Sequence, residues 1–388
     1  MRTAYNETWL RNLDIVKDAK QWSGQEIISR EQFAAIQAGY PAGFYHPNLI
    51  IRILLFIASL IALGGITGLL ALMFIDGSEA TLWPLSIIYG LVSFLILDRF
   101  FITGKNHYKS GVTEALLYHS ILYIILGVVG ITEFNVRVTL LVSILLTAFA
   151  AYRYIDLIAT LAVLMLVSYF LFYELYELGG IFQQIIPIVF ILLYIPLYFL
   201  FKSLKAGSGT DPWYNCLLIG EAYCLIVIYA AGNYLVVREL SLELMDLYLE
   251  DGQDIPFAVL FYVLTVTIPI VYLYVSIIRK DIVMLRVSLI VVAFSVFTFK
   301  YYYSLGHPEI TLTAAGAFLI LVTLALLHYL KTPRNGFTRE NVLSERWSNV
   351  NVEAIIIAQT MGGNKVAVED TNGGGGGKFG GGGASGEF

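Results

Sequence analysis

Three residues have the chemistry to act inside a membrane: Glu221, Arg286 and His119. Each sits in a long apolar run. An ionisable side chain is costly there and marks a functional position by default. Glu221 lies eight residues beyond Trp213, where one run begins, about 12 Å deep in a helix rising 1.5 Å per residue. His119 lies six residues into its run, about 9 Å deep, and Arg286 four residues into another, about 6 Å deep. All three runs cross in the same direction, so the depths compare directly. A Glu221–Arg286 pair with His119 nearby can exchange a proton or hold an ion. The competing reading is a buried pair that only fixes helix packing.

A second candidate is a break in two spans. One run contains GGITG, with Gly64, Gly65 and Gly68; another opens GGIFQQIIP, with Gln183, Gln184 and Pro187. Helices interrupted at matching places in two inverted halves point to a transporter site. Close helix packing through Gly64-x-x-x-Gly68 is the alternative, and for the glutamines a place at the membrane interface.

Other chemistries lack their residues. There is no H-E-x-x-H, no Walker loop and no G-x-S-x-G. The five histidines are scattered without ligand spacing, so no metal, cofactor or catalytic residue is expected. Cys216 and Cys224, eight apart in one apolar run, form neither a disulfide framework nor a zinc cluster. A net charge of −5 gives no reason to expect nucleic acid.

The elements that hold these residues must be membrane helices. Of 388 residues, 58% are hydrophobic and 14% charged, with mean hydropathy +0.74. Soluble domains carry about 25% charged residues, so the apolar excess must face lipid. Ten runs have the length of a span: 49–74, 82–102, 113–132, 137–152, 155–172, 181–201, 213–235, 256–278, 282–303 and 309–330. With both termini inside, 21 of the 24 Lys and Arg residues fall on the inner side, leaving only Arg137, Arg238 and Lys300 outside. The expected fold is therefore an all-α, polytopic membrane protein of about ten helices with both termini cytoplasmic. Residues 1–48 hold ten charged residues and no apolar leader, so the first span is expected to act as the insertion signal.

Four regions follow. Residues 1–48 form a cytoplasmic helical hairpin, whose second helix should start at Arg30 because Ser29 and Gln32 make a capping box. Residues 49–330 are the bundle. In the outer loop 236–255, Glu239, Glu243, Asp246 and Glu250 line one stripe of a surface helix. Residues 331–370 contain short helices. Residues 371–388, TNGGGGGKFGGGGASGEF, end the chain with ten glycines in eighteen residues. Glycine without side chains forms no core. Phe379 and the terminal Phe388 are the two large apolar side chains in that tail, spaced as anchors for docking.

The hairpin pattern Trp22, Gly24, Ile28-Ser29, Glu31-Gln32 and Tyr40 resembles a bacterial family of polytopic membrane proteins of unknown function. The resemblance implies the bacterial cytoplasmic (inner) membrane. The Gly-rich end is similar to those of other bacterial membrane-associated proteins, among them anchored proteins with the small extracytoplasmic domain named after its three founding families. It implies a tag read by a shared partner.

Two functions are expected from these readings. One is a non-enzymatic membrane scaffold or assembly component that engages a membrane or cytoplasmic protein, or a second copy of itself, through its cytoplasmic ends. The other is a secondary transporter or ion pathway using Glu221. The topology is tested by labelling. A single cysteine placed within 240–250 should react with an impermeant reagent added outside, and one within 103–110 should not. Reversed labelling refutes the ten-span topology.

Overall fold

The computed structural model describes residues 3–25, 27–73, 79–207, 212–243 and 253–302, with scattered positions between 313 and 329. Among the described residues the chain is a bundle of helices with no strand, and nine helices are long and apolar enough to cross a membrane. The protein is an all-α, polytopic membrane protein. Most of the tenth run, 309–330, and all of 331–388, with Phe379 and Phe388, lie outside the described residues.

Helix α1 (Glu7–Gly24) opens on Asn6, whose side chain accepts from the Thr8 and Trp9 amides. Helix α2 (Arg30–Gly39) starts where the capping box requires, with Ser29 and Gln32 bonded reciprocally. The hairpin is clipped to the bundle by aromatic contacts. Tyr5 is buried against Phe44, Tyr108 and Tyr154. Two backbone bonds, Tyr45 to Asn106 and Tyr108 to Tyr45, join the linker to the 105–111 loop.

The spans follow: α3 (Leu49–Met73), α4 (Glu79–Leu95, continued as a π-helix over Ile96–Gly104), α5 (Val112–Ile131), α6 (Val136–Tyr154), α7 (Leu157–Leu178), α8 (Ile181–Gly207) and α9 (Tyr214–Gly232). A short α10 (Tyr234–Glu243) precedes α11 (Ala258–Arg279) and α12 (Ile282–Tyr302). Asn233 separates α9 from α10, so the seventh span ends three residues before the expected 235. The stripe expected along 236–255 is described only as far as Glu243.

Two helices are hubs. α5 takes α3, α4 and α6 around it; α9 takes α7, α8, α11 and α12. They are also the most buried spans, while α3 is the most exposed. The packing repeats with an offset of four spans: α4 lies along α5 as α8 lies along α9, and α3 reaches α5 as α7 reaches α9. An even offset makes corresponding helices parallel, which departs from the inverted halves considered above. The corners repeat as well. α6 ends on Ile155 at φ 53° and α11 on Lys280 at φ 54°, each followed by an aspartate that caps the next helix, Asp156 and Asp281.

The expected helix breaks are not found. α3 runs unbroken through Gly64, Gly65 and Gly68, and α8 through Gln183, Gln184 and Pro187. Among the described residues nothing lies within 4 Å of a Cβ built on any of the three α3 glycines, so they make no close packing there either. Gln183 instead bonds the Tyr176 carbonyl at the α7–α8 turn. The glycines that admit a neighbour are elsewhere. A Cβ on Gly90 would lie 2.7 Å from Ile124 and one on Gly127 2.5 Å from Ile87, and one on Gly130 would overlap the Trp83 ring. These residues let α4 and α5 approach closely.

A paired substitution checks this account. Gly111 sits at φ 89° with the Arg52 carbonyl where a Cβ would go. Gly111→Ala should lower stability by at least ~2 kcal/mol through backbone strain and overlap. Gly64→Ala, in an open helical position, should be neutral or gain up to ~1 kcal/mol. Melting in detergent reads both.

Candidate functional site

Most of the buried charge gathers at the end of the bundle that carries α1 and α2. Alternating crossings place the ends of α4, α6, α8 and α11 there, with the starts of α3, α5, α7, α9 and α12. Four of the five ion pairs among the described residues lie at this end. The fifth, Arg137–Glu174, is at the opposite end.

Glu221 is the deepest of these groups and is 0% exposed. Helix α9 turns its 216, 220, 221, 224, 225, 228 and 229 positions inward, a stripe of near-3.6 spacing that carries Glu221 into the core. Its partner is Lys205, near the end of α8, which donates to Oε2. Oε1 has no hydrogen-bond partner among the described residues. One turn back on α8, Lys202 donates to Asp281 and, at 3.0 Å, to the Tyr198 hydroxyl. Two carboxylate–lysine pairs therefore sit side by side on α8, α9 and the α11–α12 corner.

Asp281 lies between spans. Burial alone would raise its carboxyl, but the hydrogen bonds from Lys202 and the Met284 amide, with the charges of Lys202 and Lys205, hold it below its ordinary range. Asp281 is thus a carboxylate at neutral pH.

The predicted trio is not assembled. Arg286 is exposed and is not a partner of Glu221. The inward stripe of α12 is Met284, Val287, Ser288, Val291 and Ser295, and Arg286 falls between its members. Equal depth was matched, but helical phase was not. His119 is buried on α5, the other hub, between Tyr89 at 5.2 Å and Tyr123 at 4.4 Å. Lys205 is the residue that sequence reasoning missed. It lies two residues before the end of α8 while Glu221 lies seven past the start of α9, so equal spacing from the turn does not reveal the pair and the length of the lysine side chain makes it.

The first half holds a related arrangement with the signs exchanged. Asp98, near the end of α4, accepts from Arg153 Nη2 at 2.7 Å and from Tyr154 at 3.2 Å. Arg52 meets Glu114 at 2.6 Å, and Tyr118 donates to Asp156 at 3.0 Å. Between them a cavity of ≈ 10 Å³ is lined by Tyr5, Lys109, Glu114, Tyr154 and Asp156, among others, about the space of one water molecule. Among the described residues no cluster of three metal-ligating side chains occurs. No family model matches the chain, and no curated protein or solved structure gives a significant match.

Two measurements test the pairing. Glu221→Gln should strand the Lys205 ammonium and cost on the order of 3 kcal/mol. Lys205→Met in the same chain should restore part of that loss, and Arg286→Gln should not. Additive losses for 221 and 205 would break the assigned pair. For Asp281, a lowered folded pKa stabilises above the ordinary carboxylate value of about 4, and that stability is lost as pH falls through the folded value. Asp281→Asn keeps the cap but not the charge, so its melting temperature should fall less steeply below about pH 4 than that of the parent.

Proposed function

We propose that the protein is an ion pathway or secondary transporter in the bacterial inner membrane, with Glu221 as its titrating group. The single observation that supports this is a wholly buried carboxylate inside a span with one oxygen bonded to Lys205 and the other without a partner among the described residues. A buried pair kept only for packing is favoured when both oxygens are satisfied. A carboxylate with an open oxygen has a place to receive a proton. The adjacent Lys202–Asp281 pair, nearer the membrane face, supplies a charged mouth. The excess of Lys and Arg on that side favours the cytoplasm.

A second reading, a scaffold that recruits partners at the cytoplasmic face, is favoured by α2. That helix has no buried residue, and Trp22, Ile27 and Tyr40 beside it are exposed. The two readings diverge in one experiment. Purified protein in liposomes under a potassium diffusion potential should carry ions, and Glu221→Gln, judged folded by monodisperse elution, should lose that current. Equal flux in parent and variant would remove the pathway reading and leave the scaffold.

A further inference from the structure

Two lysines and two carboxylates meet in a crossed arrangement at the end of the bundle that carries α1 and α2. Lys202 and Lys205 are three residues apart on α8, so they share one face of that helix. Lys205 is the nearer to the helix end at Gly207, and Lys202 is about one turn deeper. The carboxylates differ in depth as well. Asp281 lies at the corner between α11 and α12, and Glu221 lies seven residues into α9. The pairing runs against these depths. The shallower Lys205 takes the deeper carboxylate, Glu221, and the deeper Lys202 takes the carboxylate at the corner.

Lys202 is held on two sides. It donates to Asp281 and, at 3.0 Å, to the Tyr198 hydroxyl. Among the described residues Lys205 has one bond, to Glu221 Oε2. Its side chain is 16% exposed against 0% for Glu221, so the ammonium comes in from the aqueous side on a flexible stem. A second acceptor lies within its influence. The charge of Lys205 acts on Asp281, as that of Lys202 acts on Glu221. Asp281 Oδ2 holds Lys202 and Oδ1 accepts the Met284 amide at 3.1 Å. A carboxylate has lone pairs for a further donor.

Glu221 already has one oxygen without a partner among the described residues. Once Lys205 moves to the corner, neither oxygen is answered. A buried charge in that condition is costly, so another cation must take the place. The space that Lys205 vacates has the size and the charge of an ammonium group. The wall beside it is tight, since a Cβ on Gly220 would lie 2.7 Å from the Phe201 ring. A bare monovalent cation matches that space, and a hydrated ion or an organic solute does not.

We infer that Lys205 is a tethered competitor: a potassium-sized monovalent cation displaces it from Glu221, and it then bonds Asp281. This names the substrate class and the closing device of the Glu221 site, and it rests on the reading of Glu221 given above. No covalent bond changes. Glu221 stays a carboxylate, Lys205 stays an ammonium, and the site gains the one charge that the cation carries. When the cation leaves, the lysine returns, so Glu221 is never left bare in lipid.

The test is melting of the full chain in detergent, with potassium chloride titrated against choline chloride at constant ionic strength and pH. Potassium should stabilise the parent over choline. Lys205→Met removes the competitor. Its melting temperature should fall in choline and recover in potassium, with half-saturation at a concentration about tenfold or more below that of the parent. Lys205→Arg holds a carboxylate through two N–H groups and should need several times more potassium than the parent. Asp281→Asn should also need more, because both lysines are then left with Glu221 as their carboxylate. Glu221→Gln should abolish the response. Should Lys205→Met not be recovered folded, Lys205→Arg and Asp281→Asn decide the matter. Equal melting in potassium and choline for every variant overturns the inference. Melting that follows pH and ignores potassium gives the place to the proton and overturns it too. The liposome current described above reads the pathway separately. If Glu221→Gln loses that current while potassium moves no melting curve, the pathway stands and the displaced lysine is wrong. If the current survives Glu221→Gln, both fall.

Discussion

A charge carried into lipid has no water to answer it, so its answer must be built into the bundle. Much of the packing at one end of this protein follows from that constraint. Glu221 requires Lys205, which ties α9 to α8. Lys202 requires Asp281, which ties α8 to the α11–α12 corner. Asp98 requires Arg153, which ties α4 to α6. Apolar side chains among lipid tails give little preference for one helix neighbour over another. The ion pairs and tyrosine hydroxyls supply the preference that shape alone does not.

The same constraint explains why two helices became hubs. α5 and α9 carry buried polar residues: Glu114, His119 and Ser120 on one, Glu221 on the other with Asn233 just past its end. A helix with such residues must be surrounded. α3 has none of them and faces outward, its apolar side chains exposed to lipid. The four-span repeat places the two hubs in equivalent positions, and each gathers charge at the same end. The signs differ: aspartate on α4 and arginine on α6 in one half, lysine on α8 and aspartate beyond α11 in the other. A pair satisfies the membrane's demand in either polarity, so the repeat preserves the pairing and not the residue types.

Span positions were legible because hydropathy is a one-dimensional quantity, and the nine runs that fall among the described residues are membrane-length helices. The Ser29–Gln32 start of α2 was legible because a capping box is local in sequence. The site was legible in part. Glu221 could be found from depth, since a carboxylate in an apolar run has few explanations. Its partner could not be found that way: Arg286 matches its depth but points off the inward stripe of α12. The glycines misled for a related reason. Gly64, Gly65 and Gly68 cluster in sequence, yet closeness depends on what stands opposite, and the neighbours that need space are Trp83, Ile87 and Ile124 at Gly130, Gly127 and Gly90.

The two corners, Ile155–Asp156 and Lys280–Asp281, join consecutive spans through one left-handed residue and one capping side chain. Such a link has almost no slack. It fixes the angle and the rotational phase of the second helix relative to the first. α6 with α7, and α11 with α12, are therefore each a single lever with two arms. Any relative movement of helices in this molecule must fall between these levers and not within one. A one-residue insertion at either corner would turn the whole following span by roughly 100°, moving a complete face of side chains from the core into the lipid.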